Sequence, residues 1–185
     1  MLGCAALVSH PHMTDFRMRR FLVLVSALLV ASCYQVDGET VPQSASIKVE
    51  GLKDGLYDRP DGVKVLVRWN QAERQYDVVA QGEGQNGGGK ARATRVANQL
   101  YLVQYSDAAR LTLLASVKGD DVVLLLPNKA VEQRLAKAHG VGIRPGPINA
   151  LTGSVGSVLN FYKDVVASGE FAEGPKVAFI GEVPR

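Results

Sequence analysis

The stretch Val63-Lys64-Val65-Leu66-Val67-Arg68-Trp69 decides the fold class. Val63, Val65, Val67 and Trp69 point one way, and Lys64, Leu66 and Arg68 the other. That is the period of two of a strand with one covered face. Upstream, Leu56-Tyr57 ends in Arg59-Pro60-Asp61-Gly62, a strong turn. Downstream, residues 70–74 turn the chain and Tyr76 to Ala80 runs back. The Gly-rich residues 82–89 form a flexible loop, after which Ala91 to Ala97 alternates small and basic side chains. Asn98-Gln99 turns into Leu100 to Tyr105, a strand with aromatic weight. Leu111 to Val117 and Val122 to Leu126 flank the hairpin turn Gly119-Asp120. Strands this short and evenly spaced predict an antiparallel up-and-down meander. A strand–helix–strand rhythm, the mark of a parallel sheet, is missing.

Two helices follow. Asn128 can cap a helix over 129–139, with Gly140 past its end and Val131, Leu135 and Ala138 on its apolar face. Ser154 can cap a second, with Val155, Val158, Leu159, Tyr162 and Val166 on one face and Gly169 as the stop. Residues 141–147, rich in Gly and Pro, join them, and Val177 to Ile180 is a last short strand. The predicted class is therefore mainly β (β+α): a meander forming a small barrel or half-barrel, with two C-terminal helices.

The N-terminus has a different character. Arg17, Arg19 and Arg20 precede an apolar run from Phe21 to Ala31, broken only by Ser26. A basic flank, a short apolar core and small residues at its end are the layout of a secretory leader. The run is too short to cross a bilayer, which takes roughly 20 apolar residues. Its end, Val30-Ala31-Ser32-Cys33, resembles the lipobox of bacterial lipoproteins. The resemblance implies that Val30, Ala31 and Ser32 are read by the signal peptidase. It also implies that Cys33 carries a covalent diacylglycerol and an N-acyl chain. No other cofactor is expected. Tyr34 stands where Asp often retains such proteins in the inner membrane, so the resemblance points to the outer membrane, on its periplasmic face. The expected division is a leader over 1–32, a lipidated tether over 33–46 and a β-rich domain over 47–185. Residues 1–12 fit no part of a leader, and Met13 or Met18 is the more natural start. Cys4 has no apolar run before it and is not a rival.

Across 185 residues the chain is 46% hydrophobic and 21% charged, which excludes a disordered polar chain. Three arginines and one aspartate lie in the leader, so the net charge of +3 falls to about +1 once it is removed. That leaves no argument for a nucleic-acid partner. Cys33 is the only cysteine after the cut, so the mature chain has no internal disulfide. The part after the leader also resembles, loosely, a class of uncharacterised bacterial β-meander domains. The likeness rests on paired short strands, the hairpin at Gly119-Asp120, a short helix, and Ile148-Asn149-Ala150-Leu151-Thr152-Gly153-Ser154 leading into the second helix. It implies a fold and no activity.

Candidate chemistry is sparse. Gly84-Gln85-Asn86-Gly87-Gly88-Gly89-Lys90 matches the start of a phosphate-binding loop, but Ala91 stands where a Ser or Thr should hold Mg²⁺. His139 is the only histidine after the leader, and its place in the last helical turn suits a cap. A serine or cysteine nucleophile would need it, yet no G-x-S-x-G motif is present. Asp120 with Asp121, and Asp58 with Asp61, flank turns and read as solvated. Lys90, Arg92 and Arg95 form a basic rim that can touch anionic lipid or wall polymer, or simply face water. Trp69, Tyr76, Tyr101 and Tyr105 lie on predicted strands and can line a ligand cup or fill an ordinary core. The expectation is a non-enzymatic envelope lipoprotein, held at the membrane, whose β-meander domain binds a periplasmic partner, a protein or a ligand. The alternatives are a lipocalin-like carrier of a small apolar ligand and an envelope hydrolase.

Overall fold

The computed structural model describes residues 33–81 and 87–183. The leader with Val30, Ala31 and Ser32, and the tip of the Gly-rich loop, lie outside them. Eight strands close into a barrel: β2 (Gly55–Asp58), β3 (Lys64–Asn70), β4 (Gln75–Gln81), β5 (Gly88–Ala97), β6 (Leu100–Ser106), β7 (Arg110–Lys118), β8 (Asp121–Pro127) and β11 (Phe171–Gly181). The strands from β2 to β8 follow one another as the meander predicts. β11 then closes the ring by pairing with both β8 and β2, and every pairing in the ring is antiparallel.

The alternation quoted from β3 sets the two faces of the wall. Val65, Val67 and Trp69 stand opposite Ala80, Val78 and Tyr76 on β4. Followed round the register, the same face carries Ala91 and Ala93 on β5, Tyr101, Val103 and Tyr105 on β6, and Leu111, Leu113 and Ala115 on β7. The other face holds exposed Lys64, Arg68, Lys118 and Glu173, so it looks outward.

Two helices cover one side of that outer face. α1 (Lys129–Ala138) and α2 (Val155–Ser168) pack over Leu100 and Leu102 of β6, Leu114 of β7, and Val123 and Leu125 of β8. Both caps form as the sequence predicts. The Asn128 side chain accepts from the Ala130 N–H at 2.9 Å, and Ser154 Oγ accepts from the Ser157 N–H at 3.1 Å. Gly169 ends α2 in the left-handed conformation, at φ 66°. The buried faces are turned relative to the expected ones. In α2 Phe161 and Val165 are buried, whereas Leu159 is 36% exposed. In α1 Ala136 and Glu132 are buried, and Ala138 is exposed. Val158, Phe161, Tyr162 and Val165 are fully or almost fully buried, each stabilising the layer by about 1.5–3 kcal/mol.

The expected tether over 33–46 is corrected. Tyr34–Val36 form a short strand, β1, which pairs antiparallel with β7 and parallel with β10 (Asn149–Thr152). β10 in turn pairs with β9 (Gly142–Arg144). Tyr34, Val36, Thr40, Val41 and Ser46 are all buried. The physical reason is that apolar Tyr34 and Val36, two residues apart, add a rung to the core under the helices.

Candidate functional site

One end of the barrel is shut by the chain that leads into it. Ile47, Val49 and Leu52 pack against Tyr76, Ala93 and Tyr101. The Ile47 N–H donates to the Ala93 carbonyl at 2.9 Å, and the Val49 N–H to the Tyr76 hydroxyl at 2.7 Å. Arg74 anchors the same segment by donating twice to the Ser46 carbonyl. Burial at this floor pushes the phenol of Tyr76 up out of its usual range. Nearby, Tyr57 packs edge-on to Phe179, and burial pushes its phenol up to about 12.

The rest of the inner wall is aliphatic. Val67, Val78 and Val103 face inward and pack against the floor cluster, Leu111, Leu113 and Leu124 also face inward, and each of the six is half-buried. On the outward face of the same strands, under the helices, Leu102, Leu114 and Leu125 are all less than 5% exposed. Side chains under the helices are therefore more completely buried than the aliphatic ones on the inner face. Arg95 is the charged exception on the inner face. It lies at the floor end, over the Tyr101 ring at 5.7 Å, and pairs with Glu50 at 2.8 Å.

The four aromatics expected for a cup therefore share the inner face but not one place. Tyr76 and Tyr101 are each 2% exposed and build the floor. Trp69, edge-on to Tyr76, also lines a separate open groove of about 990 Å³ outside the floor, with Lys48, Asp54, Arg68 and Gln71. Its indole N–H donates to Gln71 Oε1 at 2.7 Å. Tyr105 alone of the four lies outside the floor cluster, against Gly89. Burial raises its phenol too, helped by the charge of Asp107 and only partly opposed by Arg59 of the β2–β3 turn. The aliphatic lining residues went unlisted as a site. Their signal was present in the alternation of β6 and β7, where Val103, Leu111 and Leu113 keep the parity of Tyr101.

The other candidates have structural partners. Gly88, Gly89 and Lys90 belong to strand β5 and no helix follows them, so the phosphate-binding resemblance has no cradle. Lys90 pairs with Glu73, and Arg92 with Glu39. With Arg95 on Glu50, the basic rim is neutralised by ion pairs. Asp120 pairs with Lys53, Asp61 with Arg59, and Asp121 with Lys176. The Lys176 pairing holds the Asp121 carboxyl below its usual range. His139 stands at the C-cap of α1, where its backbone N–H donates to the Leu135 carbonyl, and its ring Nε2 meets Asp164 of α2 at 2.8 Å. That contact ties the two helices together. Among the described residues no group of three or more His, Cys, Asp or Glu is placed to hold a metal ion. No described helix is long and apolar enough to cross a membrane.

Comparison with protein-family models, curated proteins and solved structures finds no match for this chain.

Proposed function

We propose that this chain is a lipid-anchored, non-enzymatic protein of the bacterial cell envelope whose barrel holds a slender apolar ligand. One observation carries the ligand half: the inner wall is aliphatic on strand after strand, yet only half-buried. Apolar surface left open inside a closed barrel is costly unless something apolar fills it. The floor segment closes one end, so the ligand enters from the end where Tyr105 stands. An acyl chain or a similar hydrocarbon fits a lining that offers few hydrogen-bonding groups. The geometry favours this carrier over a barrel that only presents its outer surface.

The anchor half rests on the sequence Val30-Ala31-Ser32-Cys33 behind its basic and apolar flank. With Tyr34 next, the reading places the protein at the outer membrane, facing the periplasm. Several acyl chains on one cysteine make a firm hold, at about 0.8 kcal/mol per methylene.

Each half has its own test. Metabolic labelling with a palmitate analogue should mark the wild type and not Cys33→Ala, and label surviving the substitution overturns the anchor. Mass spectrometry of the gently purified protein should find one apolar small molecule per chain. An empty barrel that also takes up no added hydrocarbon overturns the carrier.

A further inference from the structure

The lipobox and the fold make opposing demands on the same residues. If the leader is cut before Cys33, the lipidated residue is followed at once by Tyr34, the first residue of β1. Tyr34 and Val36 are 3% exposed. β1 lies between β7 and β10, with Tyr34 opposite Thr112 and Asn149. It also lies where β7 changes partners, because residues 114–118 of β7 pair with β8 instead. The Tyr34 hydroxyl donates to the buried carboxylate of Glu132 on α1. A lipidated residue directly ahead of so buried a strand gives its acyl chains no slack to reach a bilayer.

We infer that lipidation draws β1 out of its slot, so that the anchored protein hangs from residues 33–37 as an extended tether. This rests on the anchor reading given above. The balance of burial sets the direction. β1 contributes two buried side chains, whereas the lipid brings tens of methylenes that only a bilayer or a comparable apolar volume can cover. Withdrawal of Tyr34 takes the hydroxyl partner from Glu132, a cost that the lipid must exceed.

The release has a defined stop. The Gln104 side chain donates to the Gly38 carbonyl at 3.1 Å and accepts from the N–H groups of Thr40 and Val41 at 2.9 Å each. Thr40 Oγ1 and Thr112 Oγ1 are 2.8 Å apart. Gln104 thus pins the chain just behind β1. Residues 33–37, fully extended, reach about 17 Å.

Amide hydrogen exchange on the lipidated wild type tests this. The comparison is the same mature chain carrying Cys33→Ala, exported behind a plain cleavable leader. Exchange at residues 110–113 of β7 and 149–152 of β10 should be at least tenfold faster in the lipidated protein, with the β3–β4 hairpin unchanged. A flexible Gly-Ser insert of about eight residues between Cys33 and Tyr34 should restore the slow exchange, because the anchor then no longer pulls on β1. Equal exchange in a protein whose mass shows the lipid overturns this inference alone. Absence of the lipid mass overturns the anchor reading and this inference with it.

Discussion

Tyr105 of β6 rests against Gly89 of β5 so closely that a Cβ at position 89 would stand 2.4 Å from its Cζ and Oη. Gly89 follows the loop whose tip lies outside the described residues, and Tyr105 is the inner-face aromatic outside the floor cluster. The missing side chain on one strand is what gives the ring on the next its place. Gly89→Ala should cost about 1–3 kcal/mol, read as a lower urea midpoint, because the ring must move or the strands must part. Adding Tyr105→Ala to Gly89→Ala should recover part of that loss, since the double variant has no ring to displace. Strictly additive losses would show that the two residues do not constrain each other.

Gln104 is buried on the outer face of β6 and bonds to Gly38, Thr40 and Val41 through one amide group. Gln104→Leu fills a similar volume but leaves a carbonyl and two N–H groups without partners. The expected loss is about 3 kcal/mol in chemical denaturation. A loss below about 1 kcal/mol would mean that the N-terminal segment is not held there.

Glu132 gives the stability a pH dependence. Burial raises its carboxyl above the usual value. The folded chain therefore keeps this proton over a range where the unfolded chain has lost it. Stability from this group is present below the ordinary Glu value and falls as pH rises through the raised one. Asp121 works the other way: its depressed carboxyl contributes above the ordinary Asp value, and that contribution is lost as pH falls. Thermal melts of wild type and Glu132→Gln, paired at each pH, isolate the first effect. The midpoint of the variant relative to wild type should be higher at pH 7 than at pH 4. A constant difference would contradict it.

The meander was legible because its signal is local. Val65, Val67, Tyr101 and Val103 alternate with residues of the opposite face, and the turns at Asp61-Gly62 and Gly119-Asp120 punctuate the strands. The helix caps at Asn128 and Ser154 were legible for the same reason. β1 was not, because three residues carry no period and Tyr34 finds its partner Glu132 98 residues away. The buried face of α1 was misjudged at Glu132, a charged residue that only a distant tyrosine makes tolerable inside. As for the site, alternation placed Trp69, Tyr76, Tyr101 and Tyr105 on one face. It did not show that residues 47–52 would close the barrel over Tyr76 and Tyr101 and leave Tyr105 outside that cluster. That segment sits there through contacts made only once the barrel has formed.

The central claim is that the half-open aliphatic interior takes an apolar ligand, and titration with N-phenyl-1-naphthylamine tests it most directly. The wild type should bind the dye saturably at one site per barrel, and a long-chain fatty acid should displace it. Leu113→Trp, which fills the interior, should weaken binding at least tenfold, while Val79→Trp on the exposed outer wall should not. Circular dichroism confirms that both variants keep the fold. Absence of saturable binding, or equal binding by Leu113→Trp and Val79→Trp, would contradict the account.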